Sequence, residues 1–557
     1  MTLDRPWLSS YPAGVPAEID VNEFHSVPAV LQKTIESYRD RPAFSSMGKR
    51  ITYAELDALS KRFAAYLLGE LKLKKGDRVA IMMPNCLQYP IATFGVLRAG
   101  LTVVNTNPMY TVRELKHQLA DSGASVVLVL DNFGNTVQQA LAGTQVKQVI
   151  TTGLGDLLGL KGTLVNFVLK YVKKMVPDYD IPGAVRFNDA LTLGQRHALP
   201  DIEIDHEDIA FLQYTGGTTG VAKGAMLTHR NLVANMQQAS AWVSTVAKPG
   251  DETIITALPL YHIFALTANG LVFMKLGGLN ILITNPRDMP GFVKELKREP
   301  FTAITGVNTL FNGLLNTPGF SDIDFSRLRL TLGGGMAVQR AVAERWKKVT
   351  GVTLVEAYGL TETSPAACMN PMDLTDYNGS IGLPVPSTDA CVKDEENRIL
   401  ATGEVGELCI KGPQVMKGYW NRPEETAQVI DADGWLHTGD MARMDEKGFF
   451  YIVDRKKDMI LVSGFNVYPN EVEDVIALMP GVLEVAAVGV PDEKSGEAVK
   501  VVIVKKDPNL TADQVKAHAR ENLTGYKHPK YVEFRTELPK TNVGKILRRE
   551  LRESSPS

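Results

Sequence analysis

Cysteine is scarce in this sequence. Its 557 residues include only Cys86, Cys368, Cys391 and Cys409, which show no CxxC spacing and have no histidine cluster beside them. Scattered cysteines of this kind predict neither a zinc site nor a framework of disulfides, and they fit a reducing compartment.

A strong charge bias and a secretion signal are also lacking. The formal net charge is -3 and neither end carries an acidic or basic tail, so nucleic acid is not expected as the main partner. The first 20 residues contain Asp4, Arg5 and three prolines but no continuous apolar segment, so no signal peptide is predicted. We therefore expect a cytoplasmic protein.

Long uninterrupted apolar runs are missing as well. The longest stretch without Asp, Glu, Lys or Arg covers residues 253–274, and Pro259, His262 and Asn269 interrupt it. A membrane-spanning helix of this length is normally apolar throughout. The stretch is better interpreted as a buried strand, a loop and a helix.

One segment carries a different membrane signal. Residues 164–176 place Lys170, Lys173 and Lys174 on one face of a helix and apolar side chains on the other. The apolar set is Leu164, Val165, Val168, Leu169, Val172, Met175 and Val176. Such a pattern is typical of a helix at a membrane interface, but also of a surface helix that covers a core. Peripheral contact with the cytoplasmic membrane face therefore stays open.

The chain does contain the alternation of strands and helices that is typical of an α/β protein. Strand-like and helical patterns alternate over residues 78–83, 87–99, 101–104, 112–120 and 125–130, and further strand-like runs cover 301–305, 328–332 and 352–356. This order predicts doubly wound parallel sheets with helices on both faces. Glycine-rich breaks follow two of the later strands, and open α/β sheets bind ligands at such ends.

The pattern of predicted secondary structure changes near residue 389. Short strands with glycine turns predict a small β-barrel-like subdomain over residues 389–453, and a compact α+β unit follows the charged run 454–458. We expect an N-terminal domain of residues 1–456, a mobile C-terminal domain of residues 457–557, and a hinge within 454–458.

Residues 214–224 are the most informative segment of the chain. They read Tyr-Thr-Gly-Gly-Thr-Thr-Gly-Val-Ala-Lys-Gly, so glycines, hydroxyls and one lysine are concentrated between two apolar runs. Glycines let backbone N–H groups approach anionic oxygens, and this predicts a phosphate-binding loop. It is not a Walker A loop, because Lys223 follows Ala222 and precedes Gly224.

Five segments in this order resemble the adenylate-forming superfamily. They are residues 214–224, 358–362, 435–440, 454–458 and 542–545. The likeness extends from about residue 30 to 550 and is strongest to bacterial long-chain fatty acyl-CoA synthetases, through residues 433–460 and 462–471. It implies ATP-dependent activation of a carboxylic acid as an acyl-adenylate, release of pyrophosphate, and transfer of the acyl group to coenzyme A.

The resemblance also implies roles for individual residues. The nucleotide would contact Tyr214, Thr215, Gly216, Gly217, Thr218, Thr219, Gly220, Lys223, Gly224, Gly333, Gly334, Gly335, Tyr358, Gly359, Thr361, Asp440, Ile452, Arg455 and Lys545. Thr218 is also expected to be catalytic, and Glu362 would ligate Mg²⁺, which commonly uses one or two carboxylates plus phosphate oxygens and water. Asp440 would accept both ribose hydroxyls, with Arg455 nearby.

The resemblance implies four further roles, two at the reacting atoms and two in the second step. Lys545 would contact the carboxylate and the α-phosphate during adenylation, and His262 would lie near the carboxylate and the thiol path. Once the adenylate has formed, Lys545 would block the thiol, so the small domain would swing about Lys457. Gly464 would then line the path of coenzyme A.

The acid is expected to have an apolar tail. Residues 254–274 contain no carboxylate to pair with an amino-acid ammonium, which would be costly to bury alone. Candidates for an acyl tunnel, which are equally good core residues, are Ala257, Leu258, Ile263, Phe264, Leu266, Leu271 and Val272. A medium-chain or aryl acid ligase, an acyl-AMP ligase that loads a carrier protein, and a nucleotide-binding module without activity stay as alternatives. Assembly into an oligomer is left open.

Overall fold

Four β-sheets organise the part of the chain that the computed structural model describes, namely residues 4–215, 222–492, 494–541 and 543–553. Two large sheets of mainly parallel strands are followed by an antiparallel sheet and then by a mixed sheet. The predicted α/β architecture is confirmed, with antiparallel strands added at sheet edges.

The first large sheet has seven strands in the order β7-β6-β5-β3-β4-β8-β9. Its strands are β3 Arg78–Met82, β4 Thr102–Thr106, β5 Val126–Leu130, β6 Gln148–Thr152, β7 Val185–Arg186, β8 Ile209–Thr215 and β9 Lys223–Thr228. The strands β3, β4 and β5 are almost wholly buried, as expected for parallel strands covered by helices on both faces.

The second large sheet has nine strands in the order β16-β15-β14-β13-β12-β10-β11-β1-β2. They are β1 Pro42–Ser46, β2 Lys49–Thr52, β10 Thr253–Thr256, β11 Leu279–Leu282, β12 Ala303–Gly306, β13 Leu330–Gly333, β14 Leu354–Gly359, β15 Ala366–Met369 and β16 Leu383–Pro384. Parallel neighbours β12, β13 and β14 end on the same edge, which brings the glycine-rich breaks after two of them together.

Helices cover both sheets. They are α1 Val27–Tyr38, α2 Tyr53–Gly69, α3 Gln88–Arg98, α4 Val112–Ser122, α5 Gly134–Ala140, α6 Leu160–Phe167, α7 Phe187–Gly194, α8 His229–Val243, α9 Ile263–Ala265, α10 Val272–Lys275, α11 Met289–Arg298, α12 Asn308–Leu315, α13 Arg340–Thr350 and α14 Pro423–Val429. Local caps define several starts: Thr111 and Glu114 form a reciprocal capping box at α4, and Asp288 caps α11.

The buried helix α8 connects the two large sheets to the loops around the cleft. Thr228 caps its start, and Asn231 donates hydrogen bonds to the main-chain oxygens of Pro413 and Val415 at 2.9 and 2.8 Å. Asn235 donates to the oxygen of Ala366 at 2.8 Å. Buried amides satisfied in this way fix the positions of the segment 413–415 and of the start of β15.

The smaller units follow in chain order. The β-rich subdomain is an antiparallel sheet of β17 Asp389–Lys393, β18 Gly406–Lys411, β19 Leu436–Met444 and β20 Phe450–Arg455. The last unit contains β21 Ile460–Val462, β22 Phe465–Val467, α15 Pro469–Ala477, β23 Val482–Asp492, β24 Gly496–Lys505, α16 Ala512–Asn522, β25 Tyr531–Arg535 and α17 Arg548–Glu553. The predicted hinge segment 454–458 lies between β20 and β21.

The apolar stretch 253–274 forms a strand, a loop and short helices, as predicted. After β10 the chain turns through a loop into α9, a π-helix at Leu266–Leu271, and α10. No helix in the described part of the chain is long and apolar enough to cross a membrane.

The predicted single helical face at residues 164–176 is wrong. Helix α6 continues as a π-helix at Val168–Val172, where the helical structure ends, so the segment does not keep one helical period. Val165 packs against the core, whereas other large apolar side chains of this region are exposed. The exposed set is Leu160, Leu164, Phe167, Tyr171, Val172 and Met175.

Candidate active site

A cleft of about 2060 Å³ runs between the large domain and the C-terminal unit. Most of the residues singled out by the sequence line it. They are Tyr214, Thr215, Lys223, His262, Gly334, Gly335, Tyr358, Gly359, Thr361, Glu362, Asp440, Ile452, Arg455, Lys457 and Lys545. The topology explains this convergence, because β8, β13 and β14 end at the cleft and β19 and β20 form its other wall.

Some predicted residues lie elsewhere. Gly224 and Gly333 do not line the cleft: Gly224 contacts the ring of Tyr214, and Gly333 packs against Leu354 and Val338. Gly464 has φ +85° in the turn between β21 and β22, away from the cleft. The predicted phosphate contacts Gly216, Gly217, Thr218, Thr219 and Gly220 lie outside the described residues.

Asp440 is held by two neighbours that differ in charge. The hydroxyl of Tyr358 donates a hydrogen bond of 2.6 Å to its Oδ2, and Nε of Arg455 lies 3.3 Å from its Oδ1. Asp440 and Arg455 are register partners on β19 and β20, so the sheet sets their separation. Burial and the charge of Asp440 raise the pKa of Tyr358 well above its usual value, which keeps the hydroxyl a proton donor.

Glu362 also lines the cleft, from a short 3-10 turn at Thr361–Thr363. The hydroxyl of Tyr419 donates a hydrogen bond of 2.7 Å to its Oε1, and the main-chain oxygen of Glu362 accepts from the N–H of Met416 at 2.8 Å. The carboxylate is thus fixed at both its backbone and its side chain. No cluster of three acidic, cysteine or histidine side chains that could enclose a metal occurs among the described residues.

This donor set fits Mg²⁺ better than a metal that needs a full cage of protein ligands. Mg²⁺ keeps several waters and commonly takes one or two carboxylates together with phosphate oxygens. Glu362 offers one carboxylate in the cleft, near the strand end at Thr215 that leads into the predicted phosphate loop.

Lys223 and Glu362 share one neighbour, Tyr419. Its Nζ lies 2.5 Å from a carboxylate oxygen of Glu425 and 4.8 Å from the centre of the Tyr419 ring. Tyr419 therefore contacts both the candidate metal ligand and the candidate phosphate-binding lysine, through its hydroxyl and its ring face.

The sequence reasoning missed Tyr419 and a second supporting residue, Asp121. One carboxylate oxygen of Asp121 accepts from the hydroxyl of Tyr214 at 2.6 Å and the other from Arg422 at 2.9 Å. These bonds tie the strand that precedes the predicted phosphate loop to helix α4 and to the segment after Tyr419. The partners are separated by 93 and 301 positions in the chain, so no local motif could have revealed them.

Lys545 reaches the cleft from the C-terminal unit. It follows a tight turn in which the N–H of Thr541 donates to the oxygen of Lys545 at 2.7 Å, and its side chain passes over Gly335, where a Cβ would lie 3.6 Å from its Cε. Burial lowers the pKa of the ammonium to about 8, with Arg455 adding to the effect and Asp440 and Glu362 opposing it. A cation is thus held among the candidate nucleotide contacts without a carboxylate at salt-bridge distance among the described residues.

His262 is half-buried and lines a small cavity together with Lys545. Its Nδ1 accepts a hydrogen bond from the N–H of Phe264 at 3.3 Å, which places the ring proton on Nε2. Burial of the ring, with a smaller contribution from the charge of Lys545, lowers the pKa of His262 to about 3. The imidazole is therefore neutral near pH 7 and offers a hydrogen-bond donor rather than a charge.

The apolar candidates divide into two groups. Ile263 and Phe264 line the cleft, and Leu258 and Phe264 line a small cavity that also contains His262 and Lys545. The other four candidates, Ala257, Leu266, Leu271 and Val272, are buried in the core and do not line the cleft. The cleft extends instead along α8, where Asn235 and Ala239 line it.

These features define an AMP-binding enzyme, and comparison with known families gives the same class. The model of the family "AMP-binding enzyme" matches residues 31–420, and that of the "AMP-binding enzyme C-terminal domain" matches residues 471–545. The chain belongs to this family. The first match lies within the large domain, and the second lies within the C-terminal unit.

Two curated relatives narrow the class. The chain is 59% identical to the "Long-chain-fatty-acid--CoA ligase" of Escherichia coli O157:H7, over 99% of both chains. It is 54% identical to the protein of the same name from Haemophilus influenzae, over 99% of this chain and 98% of the relative. Relatives of this identity and coverage establish an enzyme of the acyl-CoA ligase class.

A solved structure agrees in fold. The ATP-bound crystal structure of MatB from Rhodopseudomonas palustris is 30% identical and has a TM-score of 0.81, with 95% of this chain and 99% of that chain covered. The apo crystal structure of the same protein gives a TM-score of 0.73, with 95% of this chain and 98% of that chain covered. The present fold is thus more similar to the ATP-bound structure.

Proposed function

We propose that this protein is an AMP-forming long-chain-fatty-acid–CoA ligase, whose residues carry two successive steps in the described cleft. The observation that carries the proposal is the meeting of Lys545 from the C-terminal unit with Glu362 and Asp440 from the large domain. One cation and two carboxylates from distant segments converge where an acid, a nucleotide and a metal would have to meet.

The first step joins the acid to AMP. A carboxylate oxygen attacks the α-phosphorus of ATP, the bond to the bridging oxygen breaks, and pyrophosphate leaves with the electron pair. Both reactants are anionic, so cationic donors at the reacting atoms lower the barrier. Lys545 supplies that charge, His262 offers its Nε2 proton as a neutral donor, and Lys223 holds the leaving phosphates.

Other residues bind and orient the nucleotide. Asp440 accepts hydrogen bonds from the ribose hydroxyls, and Tyr358 and Arg455 fix its carboxylate in the required position. Glu362, oriented by Tyr419, would hold Mg²⁺ beside the phosphates. When bound, the ion supplies charge neutralisation of the phosphate oxygens.

The second step transfers the acyl group to coenzyme A. The thiol sulfur, after loss of its proton, forms a bond to the acyl carbon, and the bond from that carbon to the AMP oxygen breaks. Lys545 and its turn occupy the cleft in the present arrangement. The C-terminal unit would therefore rotate about residues 454–458, with Lys457 as the pivot, before the thiol enters beside Gly464.

An apolar acid fits the surroundings of the reacting groups. Phe264, Ile263 and Ala239 border the cleft, and the nearby Asn235 is already bonded to Ala366 rather than free for a charged substrate. The relatives at 54–59% identity carry the name of long-chain-fatty-acid ligases, and this supports a long acyl chain over an aryl or medium-chain acid.

The test is a panel of acids with ATP, Mg²⁺ and coenzyme A. Formation of AMP and acyl-CoA should be fastest with palmitate and oleate, slower with octanoate, and lowest with coumarate. The Lys545→Ala variant is the matched control for reaction in the cleft. Turnover of coumarate but not oleate would contradict the long-chain assignment, and AMP release without acyl-CoA would favour an acyl-AMP ligase.

We also propose peripheral contact with the cytoplasmic membrane face, where long-chain acids partition. Its site is the surface patch formed by Leu160, Leu164, Phe167, Tyr171, Val172 and Met175, whose side chains are exposed. Lys161, Lys170, Lys173 and Lys174 lie among them and are also exposed. Large apolar side chains interleaved with lysines match the boundary of an anionic bilayer.

A further inference from the structure

Helix α12 of the large domain donates two hydrogen bonds to the C-terminal unit. The side-chain amide of Asn312 donates a hydrogen bond of 2.8 Å to the main-chain oxygen of Leu483. The hydroxyl of Thr309, almost one helical turn earlier, donates one of 3.0 Å to the main-chain oxygen of Gly544. Both acceptors belong to the C-terminal unit, and Gly544 directly precedes Lys545.

The amide of Asn312 is oriented by its own helix. Asn316 donates hydrogen bonds of 3.0 Å to Oδ1 of Asn312 and 2.7 Å to its main-chain oxygen, and Arg345 donates to Oδ1 of Asn316 at 3.2 Å. Since Oδ1 of Asn312 is engaged as an acceptor, its NH₂ group must face Leu483. The donor is therefore fixed in place before the C-terminal unit arrives.

Loss of these bonds would be costly because the groups that form them are shielded from water. Asn312 is 8% exposed, so loss of the partner at Leu483 would leave a buried amide without its acceptor on that side. At Gly544, φ is +83°, and a Cβ there would lie 2.7 Å from the Thr309 hydroxyl oxygen. The close approach of the turn to α12 thus depends on a residue without a side chain.

We propose that Asn312 and Thr309 are positioning residues that hold the C-terminal unit against the large domain and so keep Lys545 in the cleft. The two bonds end on main-chain oxygens of β23 and of the Lys545 turn, so they fix both the body of the unit and the reacting lysine. This inference rests on the proposed role of Lys545, because the bonds affect adenylation only if that lysine acts there.

The bonds also have a direction of effect on the two steps. They exist in the arrangement that buries Lys545 and must break when the unit rotates for thiol entry. Their loss should therefore slow adenylation and leave transfer from supplied acyl-AMP unchanged or faster. A general loss of folding would instead lower both steps together.

The variants are Thr309→Val, which removes only the hydroxyl donor from a side chain of similar shape, Asn312→Ala, and the double variant. Asn522→Ala is the matched control, because Asn522 donates a similar bond of 2.8 Å to the main-chain oxygen of His518 within the C-terminal unit alone. Acid-dependent pyrophosphate exchange reports adenylation, and coenzyme A thioester formation from supplied oleoyl-AMP reports transfer.

A distance measurement gives a readout that does not depend on Lys545. Fluorophores attached at Lys348→Cys and Asp513→Cys, both exposed positions, report the separation of the two units by energy transfer. The four native cysteines are buried and should resist labelling while the protein is folded. In the double variant the efficiency of energy transfer should fall or its distribution should broaden. In Asn522→Ala it should stay unchanged.

Each single variant is expected to reduce pyrophosphate exchange by about 3- to 10-fold, as for loss of one buried hydrogen bond, with transfer retained. Equal loss of both steps in Thr309→Val, or unchanged exchange and distance in the double variant, would overturn the proposal. If Lys545→Ala kept full exchange, the role of Lys545 would fail instead. The distance change alone would then decide whether α12 holds the unit.

Discussion

The hydroxyl of Tyr419 and Oε1 of Glu362 lie 2.7 Å apart, and the same tyrosine ring lies beneath the ammonium of Lys223. Burial raises the pKa of Tyr419, and the charge of Glu362 raises it further, so the hydroxyl stays protonated and donates to the carboxylate. One side chain thereby fixes the two groups that we assign to the metal and to the leaving phosphates.

Tyr419→Phe should weaken the binding of Mg²⁺ during adenylation, because Glu362 loses the hydroxyl that orients it. The phenylalanine keeps the ring beneath Lys223 but leaves Oε1 without its donor, so the carboxylate can turn away from the phosphates. The Mg²⁺ concentration for half-maximal pyrophosphate exchange should rise by about 3- to 10-fold, as for one charge-assisted hydrogen bond. Tyr451→Phe is the control, because that hydroxyl bonds Asp445 outside the cleft. An unchanged Mg²⁺ dependence would contradict the role of Tyr419.

Lys545→Ala should separate the two steps. Removal of this cation from the cleft should lower acid-dependent pyrophosphate exchange by about 100-fold or more, while transfer from supplied acyl-AMP continues. Lys494→Ala, at an exposed position of the same unit, controls for loss of a positive charge. Equal loss of both steps would show that Lys545 does not act specifically in adenylation.

Lys457→Pro should have the opposite effect. Proline fixes φ and removes an N–H group, so a pivot at this position would lose the freedom to change its backbone angles. Exchange of pyrophosphate should be retained and thioester formation should fall. Lys456→Pro is the neighbouring comparison, and it is expected to disturb the fold more, because the N–H of Lys456 bonds the oxygen of Gly439 at 3.0 Å. Normal thioester formation in Lys457→Pro would place the pivot elsewhere.

The sequence predicted the cleft residues that belong to continuous motifs, and missed those that act across the fold. Glu362, Asp440 and Lys545 are recognisable from their immediate neighbours. Tyr419 and Asn312 are not, because their partners at Glu362 and Leu483 are 57 and 171 positions away and become neighbours only through sheet order and domain contact. The strands could be predicted from runs of apolar residues. The prediction for residues 164–176 failed because the change from α- to π-helix after Phe167 breaks the helical period on which it relied.

Two acids that line the cleft, the buried Glu356 and the more exposed Asp474, make the contact between the units sensitive to pH. Asp474 on α15 faces Glu356 on β14. Burial raises the pKa of Glu356 to about 8, with Asp474 adding to the effect. Burial also raises the pKa of Asp474 to about 7, with Glu473 adding to it and Arg340 opposing it. Tyr377 bonds Glu356 and lowers its pKa, and Arg548 pairs with Glu473.

A carboxyl group whose pKa is raised in the contact favours the contact in its neutral form and opposes it once ionised. The contact between the units should therefore be firmest at low pH, weaken as the pH rises above about 4, the ordinary carboxyl pKa, and reach its weakest once the pH exceeds about 7 to 8. Energy transfer between labels at Lys348→Cys and Asp513→Cys should fall over this range, and Asp474→Asn should reduce that change, leaving the part due to Glu356. Glu521→Gln, an exposed acid of the same unit, should leave it intact. A pH-independent distance in the unmodified protein would contradict the prediction.

The exposed patch at residues 160–175 should bind anionic bilayers. Leu164 and Phe167 are 63% and 54% exposed, so their replacement by serine should not disturb the core but should remove apolar surface from the membrane boundary. Leu164→Ser/Phe167→Ser should lower co-sedimentation with phosphatidylglycerol vesicles by about 10-fold or more, at about 25 cal/mol per Å² of apolar area lost. Ile399→Ser, 55% exposed on the β-rich subdomain, is the control. Equal binding by both variants, or equal binding to neutral vesicles, would contradict this docking surface.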